Sequence, residues 1–139
     1  MQKQHSKRKA RPAQHQQKQP GDEWRLRPAP EFYDMATSSK KLQGKVAVIT
    51  GGDSGIGRAV AVAFAQHGAQ VAIVHLNETK DAADTKKFIE THTEQQCLVI
   101  KTDIQKENNC KAIIRQVIKT YGRLDVLVNN AAVHYPQSR

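Results

Sequence analysis

The chain has 139 residues, enough for one domain, and carries 22 lysine and arginine residues against 13 acidic ones. Six of the basic residues and none of the acidic ones lie within residues 1–19, so the remainder is only slightly basic and gives no reason to expect a nucleic-acid partner. The apolar runs are too short to cross a membrane, and the basic N-terminus lacks the apolar stretch of a secretory signal, so we expect a cytoplasmic protein.

Neither the cysteines nor the histidines form a pattern typical of metal binding. Cys97 and Cys110 show no CxxC motif and no metal-ligand spacing, and we expect them to be reduced residues in or near the core. The six histidines are scattered, and no pair has the spacing of a helical zinc site. The sequence therefore predicts no metal site.

Two regions follow one another along the chain. Residues 1–41 are rich in Gln, Lys, His and Pro, and we expect them to form a disordered or extended basic arm. From residue 42 onward, predicted strands alternate with predicted helices. The strands are expected at 45–50, 70–75, 97–101 and 124–129, and the helices at 58–67, 78–92 and 106–121.

The alternation of strands and helices predicts an α/β fold with a parallel sheet and right-handed crossover connections. Strand 70–75 is a continuous apolar run, which is typical of a strand buried on both faces. The last predicted helix carries a single apolar face. That face is expected to contain Ile113, Ile114, Val117, Ile118 and Tyr121.

The sharpest feature is the motif TGGDSGIG at residues 50–57, which follows a predicted strand and opens a predicted helix. Gly51 would let the chain turn tightly out of the strand, Gly55 would leave room for a pyrophosphate, and Gly57 would let the helix pack against the sheet. The free amides and the dipole at the helix start favour anionic phosphates. A strand-to-helix turn without a ligand is the alternative.

Four segments in this order resemble the short-chain dehydrogenase/reductase family. The glycine motif has the spacing TGxxxGxG, and residues 45–50 (KVAVIT) are similar to the first strand of that family. Residues 102–104 (TDI) follow the third strand, and residues 128–132 (VNNAA) resemble the NNAG motif at the end of the fourth. Ala132 stands where glycine is commoner, which restricts close approach of the backbone slightly.

The resemblance implies a Rossmann-type doubly wound parallel sheet, truncated to about four strands in the order 3-2-1-4. Residues 42–139 would be the N-terminal half of an NAD(P)-binding domain. In the family the Asp corresponding to Asp103 contacts the adenine ring, and the first Asn of the NNAG motif steadies the sheet. The residues expected to bind the cofactor are Gly51, Asp53, Ser54, Gly55, Ile56, Gly57, His75, Leu76, Asp103, Ile104, Asn130, Ala131 and Ala132.

The sequence leaves the choice between NAD and NADP open. In this fold an acidic residue at the end of the second strand holds the ribose hydroxyls of NAD, whereas a nearby Arg favours the phosphate of NADP. The corresponding residues here are His75, Leu76 and Asn77, and Ser54 stands where a basic residue often marks NADP preference. Glu78 could reach a ribose, but the start of the next helix is its favoured interpretation.

Asp103 also has a second interpretation, since a carboxylate in front of a predicted helix could act as its N-terminal cap.

The resemblance implies hydride transfer between the nicotinamide and an alcohol or carbonyl substrate, assisted by a Ser, a Tyr and a Lys four residues after the Tyr. No tyrosine of this chain has that partner: Tyr33, Tyr121 and Tyr135 are followed at that spacing by Thr37, Asp125 and Arg139. We therefore name no catalytic residue. The chain is expected to be an inactive cofactor-binding fragment, and a small alcohol or carbonyl substrate would bind only a full-length form.

Two further hypotheses stay open. The chain could be a non-catalytic dinucleotide-binding module, or an interaction protein that acts through its basic arm. The N-terminal segments rich in Gln and Pro resemble the extension of a bacterial subgroup of the family that is glucose/ribitol-dehydrogenase-like or stress-associated. Full-length relatives are expected to form homo-oligomers.

The strand order has a consequence for stability. With the order 3-2-1-4, the strand at 124–129 becomes an edge, and its apolar side chains lie beside an unpaired backbone. We expect the isolated chain to be marginally stable or prone to aggregate.

Overall fold

The computed structural model describes residues 27–28 and 39–133, so most of the predicted N-terminal arm and the last six residues lie outside the described part. Strands and helices alternate from residue 46 onward. They are β1 (Val46–Thr50), α1 (Gly55–Gln66), β2 (Gln70–His75), α2 (Thr79–His92), β3 (Cys97–Lys101), α3 (Glu107–Tyr121) and β4 (Val126–Asn129). Within the described ranges, no helix is long and apolar enough to cross a membrane.

The four strands form one parallel sheet in the order β3-β2-β1-β4, as predicted. β1 lies in the middle, where Val48 is in register with Ala72 of β2 and with Leu127 of β4. Because all strands run the same way, their carboxyl ends share one edge of the sheet. The loops that leave this edge carry the candidate site.

Helices cover both faces of the sheet, because alternate strand residues point to opposite sides. Ala47 and Ile49 of β1 belong to an apolar cluster with the buried residues of α1 and α2. Val46 and Val48 belong to a second cluster with Ile113 and Val117 of α3. The fold is therefore doubly wound, and β1 is buried along its whole length.

The predicted apolar face of α3 is only partly buried. Ile113 and Val117 lie in the core, whereas Ile114 and Ile118 are 38% and 42% exposed. Leu127 of the edge strand β4 is 52% exposed. The apolar face of α3 therefore extends beyond the part that packs on the second apolar cluster. The expected marginal stability stays a prediction.

The two cysteines are free thiols in different environments. Cys97 is 1% exposed, and burial, together with the nearby charge of Glu90, raises the pKa of its thiol to about 12. Cys110 is half-buried in α3, where its Sγ donates to the carbonyl oxygen of Ile104. Because the pKa of Cys97 is about 12, only about one in ten thousand of its thiols is a thiolate at pH 8.

A thiol reagent such as dithionitrobenzoate should therefore modify Cys110 first and Cys97 at least about 100-fold more slowly at pH 8. Stopped-flow absorbance would measure the two phases, and both thiols should react quickly in urea. The variant Cys110→Ser is the control and should lose the fast phase. Two equally fast phases in the folded chain would contradict the burial of Cys97.

Candidate functional site

A cavity of about 440 Å³ opens at the carboxyl edge of the sheet, between the loops that follow all four strands. Most of the residues proposed from the sequence line it, although they are far apart along the chain. They are Gly51, Asp53, Ser54, His75, Leu76, Asp103, Ile104, Asn130, Ala131 and Ala132. Gly55, Ile56 and Gly57 do not line the cavity and form the first turn of α1 instead.

Three of the four glycines of the motif are needed for different structural reasons. Gly51 has φ +63°, so it supplies the left-handed turn out of β1 that other residues adopt at a cost. Gly57 has no room for a side chain, because a Cβ would collide with the carbonyl oxygen of Gly51 and the side-chain amide of Asn130. Gly55 has φ +54° and no atom within 4 Å of a hypothetical Cβ, so it faces open space.

Helix α1 begins at Gly55, three residues earlier than predicted. Ser54 occupies the N-cap position, but its side chain makes no capping hydrogen bond and instead donates to Asp53 Oδ2 at 3.3 Å. The amide of Arg58 is the first to join the helix, through the carbonyl oxygen of Ser54 at 3.1 Å. The amides of Ile56 and Gly57 precede it and lie at the positive end of the helix dipole. This end of α1 is suited to receive an anion.

The ends of β1 and β4 are joined through Thr50 and Asn130. Thr50 Oγ1 accepts hydrogen bonds from the amides of Asn130 and Ala131, each at 3.1 Å. Asn130 Nδ2 donates to the carbonyl oxygens of Thr50 and Gly51 at 3.1 and 3.0 Å. Asn130, the second Asn of the NNAA segment, thus joins the two strands, while Asn129 is exposed. The expected role of the first Asn in steadying the sheet stays a prediction.

Thr85 supports the glycine motif from the other side and was missed by the sequence analysis. Its fully buried Oγ1 donates to the carbonyl oxygen of Asp53 at 2.8 Å and so ties the turn to α2. A signal was present, because Thr85 shares the buried face of α2 with Ala82 and Ile89. A hydroxyl on such a face needs a hydrogen-bond acceptor.

The far end of the cavity lies at the end of β2. Glu78 is the N-cap residue of α2, which agrees with the favoured interpretation, but it also lines the cavity and is only 5% exposed. Its Oε2 accepts from the amide of Asn77 at 3.1 Å. Asp103 also lines the cavity, and its Oδ1 accepts from the amide of Gln105 at 2.9 Å. The capping interpretation of Asp103 is wrong, because the N-cap of α3 is Lys106.

Two buried titratable groups in the cavity wall, Asp53 and His75, act on each other. Burial raises the pKa of Asp53, and the charge of Glu78 raises it further, while hydrogen bonds to the carboxylate oppose the shift. Burial lowers the pKa of His75, against the opposing effect of the Asp53 charge. His75 is therefore a neutral imidazole at pH 7. Between residues 39 and 133, no group of three or more His, Cys, Asp or Glu residues is arranged to hold a metal ion.

The sequence model described as short chain dehydrogenase matches residues 45–139. The chain belongs to this family. The NADPH-dependent aldehyde reductase 1 of Arabidopsis thaliana is 44% identical to it over 131 residues, which are 90% of this chain and 46% of that protein. The glucose and ribitol dehydrogenase of Daucus carota is 41% identical over 133 residues, 91% of this chain and 46% of that protein.

The chain is also similar to solved structures of short-chain dehydrogenases. A short chain dehydrogenase of Burkholderia cenocepacia J2315 in complex with NADP is 35% identical with a TM-score of 0.67, covering 70% of this chain and 40% of that one. The family and the glucose/ribitol-dehydrogenase-like subgroup predicted from the sequence are confirmed. The chain spans less than half the length of the curated relatives it matches.

The hydroxyl of Thr50 should be essential to the junction of β1 and β4. We expect Thr50→Val, which removes the acceptor of two amides at a 7% exposed position, to lower the free energy of unfolding by about 2 kcal/mol. Urea denaturation followed by circular dichroism would measure it. Thr50→Ser keeps the hydroxyl and should cost less than half as much. A loss in Thr50→Ser as large as that in Thr50→Val would contradict this expectation, because the methyl group would then matter as much as the hydroxyl.

Proposed function

We propose that the chain binds a nicotinamide dinucleotide, with the diphosphate over the start of α1 and the adenosine at the ends of β2 and β3. The observation that carries this proposal is the position of the cavity. It lies at the carboxyl edge of the sheet where the strand order reverses, between β1 and β4, which is where doubly wound folds bind ligands. The open space over Gly55 and the uncapped start of α1 suit a diphosphate.

Each residue predicted to bind the cofactor keeps a role in this proposal. Residues 51–57 would receive the diphosphate, with Ile56 and Gly57 as amide donors at the start of the helix. His75, Leu76, Asp103 and Ile104 would surround the adenosine, since they line the cavity beyond β2 and β3. Residues 130–132 would lie beside the nicotinamide half, because they follow β4 on the other side of β1.

The proposed reaction class is hydride transfer between the nicotinamide and an alcohol or carbonyl compound. Membership of the family and the oxidoreductase names of the relatives support it. The names of those relatives point to aldehydes, sugars or polyols as the substrate class. The 139 residues include the cavity proposed for the dinucleotide, but no Tyr followed four residues later by Lys. We therefore assign dinucleotide binding to this stretch, whereas the proton transfer would need a Tyr and Lys pair that these 139 residues do not contain.

Other expectations from the sequence concern location, partners and assembly. A cytoplasmic location, the absence of a nucleic-acid partner and homo-oligomers of the full-length form stay predictions. A role of the basic arm as an interaction segment stays a hypothesis too, because most of the arm lies outside the described residues.

Isothermal titration of the 139-residue chain with NAD⁺ and with NADP⁺ tests the proposal. At least one of them should bind with a dissociation constant below about 1 mM. The variant Gly55→Asp should weaken this binding about tenfold or more, because it places a negative charge at the helix start. Gly55→Asn is the matched control, since Asn has nearly the same shape and also tolerates a positive φ.

The two variants separate charge from shape. If Gly55→Asn weakened binding as much as Gly55→Asp, the space over Gly55, and not the charge at the helix start, would account for the loss. If the unmodified chain bound neither dinucleotide at millimolar concentration, the proposed function would be wrong.

A further inference from the structure

The cavity is acidic along its wall. Asp53, Glu78 and Asp103 line it, and no lysine or arginine among the described residues does. The charge of Lys101, at the end of β3, acts on His75. Lys101 itself is exposed and does not line the cavity. A ligand that enters the cavity therefore meets carboxylates and neutral groups.

The acidic groups are concentrated at the end of β2. Asp53 comes from the turn after β1, His75 from β2 and Glu78 from the start of α2, and each is 5% exposed or less. They are close enough for the charge of Glu78 to act on Asp53. In doubly wound folds the ribose of the adenosine lies at this position. Three different elements thus bring polar groups to the place where NAD and NADP differ.

We infer that Asp53 and Glu78 make this site selective for NAD(H) over NADP(H). This inference rests on the proposed dinucleotide binding. It differs from the expectation that a residue at the end of the second strand decides, because that position holds His75. The deciding carboxylates come from the glycine motif and from the N-cap of α2 instead.

A free ribose diol fits these groups. Carboxylate oxygens accept hydrogen bonds from hydroxyl groups, and buried charged acceptors make the stronger ones. His75 Nδ1 is buried and has no hydrogen-bond partner among the described residues. A neutral imidazole nitrogen can donate to or accept from a hydroxyl, so a ribose hydroxyl would satisfy an atom that the protein leaves unsatisfied.

A phosphate on that ribose does not fit. It carries between one and two negative charges at pH 7 and would lie beside two carboxylates at a site sheltered from water, where like charges repel most strongly. His75 offers no positive charge in compensation, because burial lowers its pKa. Burial already raises the pKa of Asp53, so an added phosphate would drive this carboxyl group toward protonation.

The inference separates this chain from relatives of the same fold. The Arabidopsis reductase is NADPH-dependent by name, and the Burkholderia enzyme was solved with NADP. These proteins are 44% and 35% identical to the chain, so the groups around the ribose need not be the same. The prediction for this chain follows from its own side chains.

Dissociation constants of NAD⁺ and NADP⁺, measured by titration calorimetry on the 139-residue chain at pH 7.5, test the inference. NAD⁺ should bind at least about tenfold more tightly than NADP⁺. Glu78→Gln and Asp53→Asn remove one charge each with little change in shape, and each should tighten NADP⁺ binding severalfold. Glu94→Gln removes the same charge from a position that is 87% exposed and should leave both constants unchanged.

A gain of function adds a test that does not require a change at a buried position. Asn77 is exposed and follows His75 by two residues, so Asn77→Arg should leave the fold intact. It should tighten NADP⁺ binding severalfold, since an Arg at this point accommodates the ribose phosphate. Circular dichroism melts of every variant would identify any that fail to fold.

Each outcome decides a different claim. Binding of NADP⁺ as tight as that of NAD⁺ would overturn the selectivity and leave the proposed function standing. A preference for NAD⁺ that folded Glu78→Gln and Asp53→Asn variants do not reduce would overturn the role of these two carboxylates. No binding of either dinucleotide would overturn the proposed function itself, and the selectivity with it.

Discussion

The close contact between Gly57, the carbonyl group of Gly51 and the side chain of Asn130 is the constraint on which the candidate site depends. It brings the first turn of α1 against the end of β1, at a distance that leaves no space for a Cβ on residue 57. The same Asn130 side chain binds the backbone of Thr50 and Gly51. One contact therefore joins α1, β1 and β4 at the point where the strand order reverses.

The rest of the fold supports this junction. The two apolar clusters bury β1 on both faces, so its end cannot move independently of the helices. Thr85 fixes the turn after β1 from α2, on the side opposite to Asn130. The turn is thus held at both flanks while its outer surface, over Gly55, stays open. A rigid backbone with an open surface is what binding of an anion through amide groups requires.

The start of α1 and the end of β2 differ in their electrostatics. The start of α1 presents amides and the positive end of a helix dipole, which favour the negative diphosphate. The end of β2 presents buried carboxylates and a neutral histidine, which favour hydroxyl groups. Ser54, the N-cap residue of α1, lines the cavity, so the helix start adjoins the buried carboxylates. Under the proposed function the ligand is anionic at the helix start and uncharged at the end of β2. The buried carboxylates and the neutral histidine are side chains of this chain, and family membership alone does not predict them.

The sequence by itself determined the alternation of strands and helices, the strand order through its family resemblance, and most residues of the cavity. Local signals were enough there, because apolar runs, glycine turns and a recognisable motif depend on neighbours along the chain. Only the tertiary structure decided that Asn130 and not Asn129 joins the strands, that Thr85 holds the turn, and that Asp53, His75 and Glu78 meet. These contacts link residues between 3 and 80 positions apart, and side-chain direction at such separations is set by packing between elements.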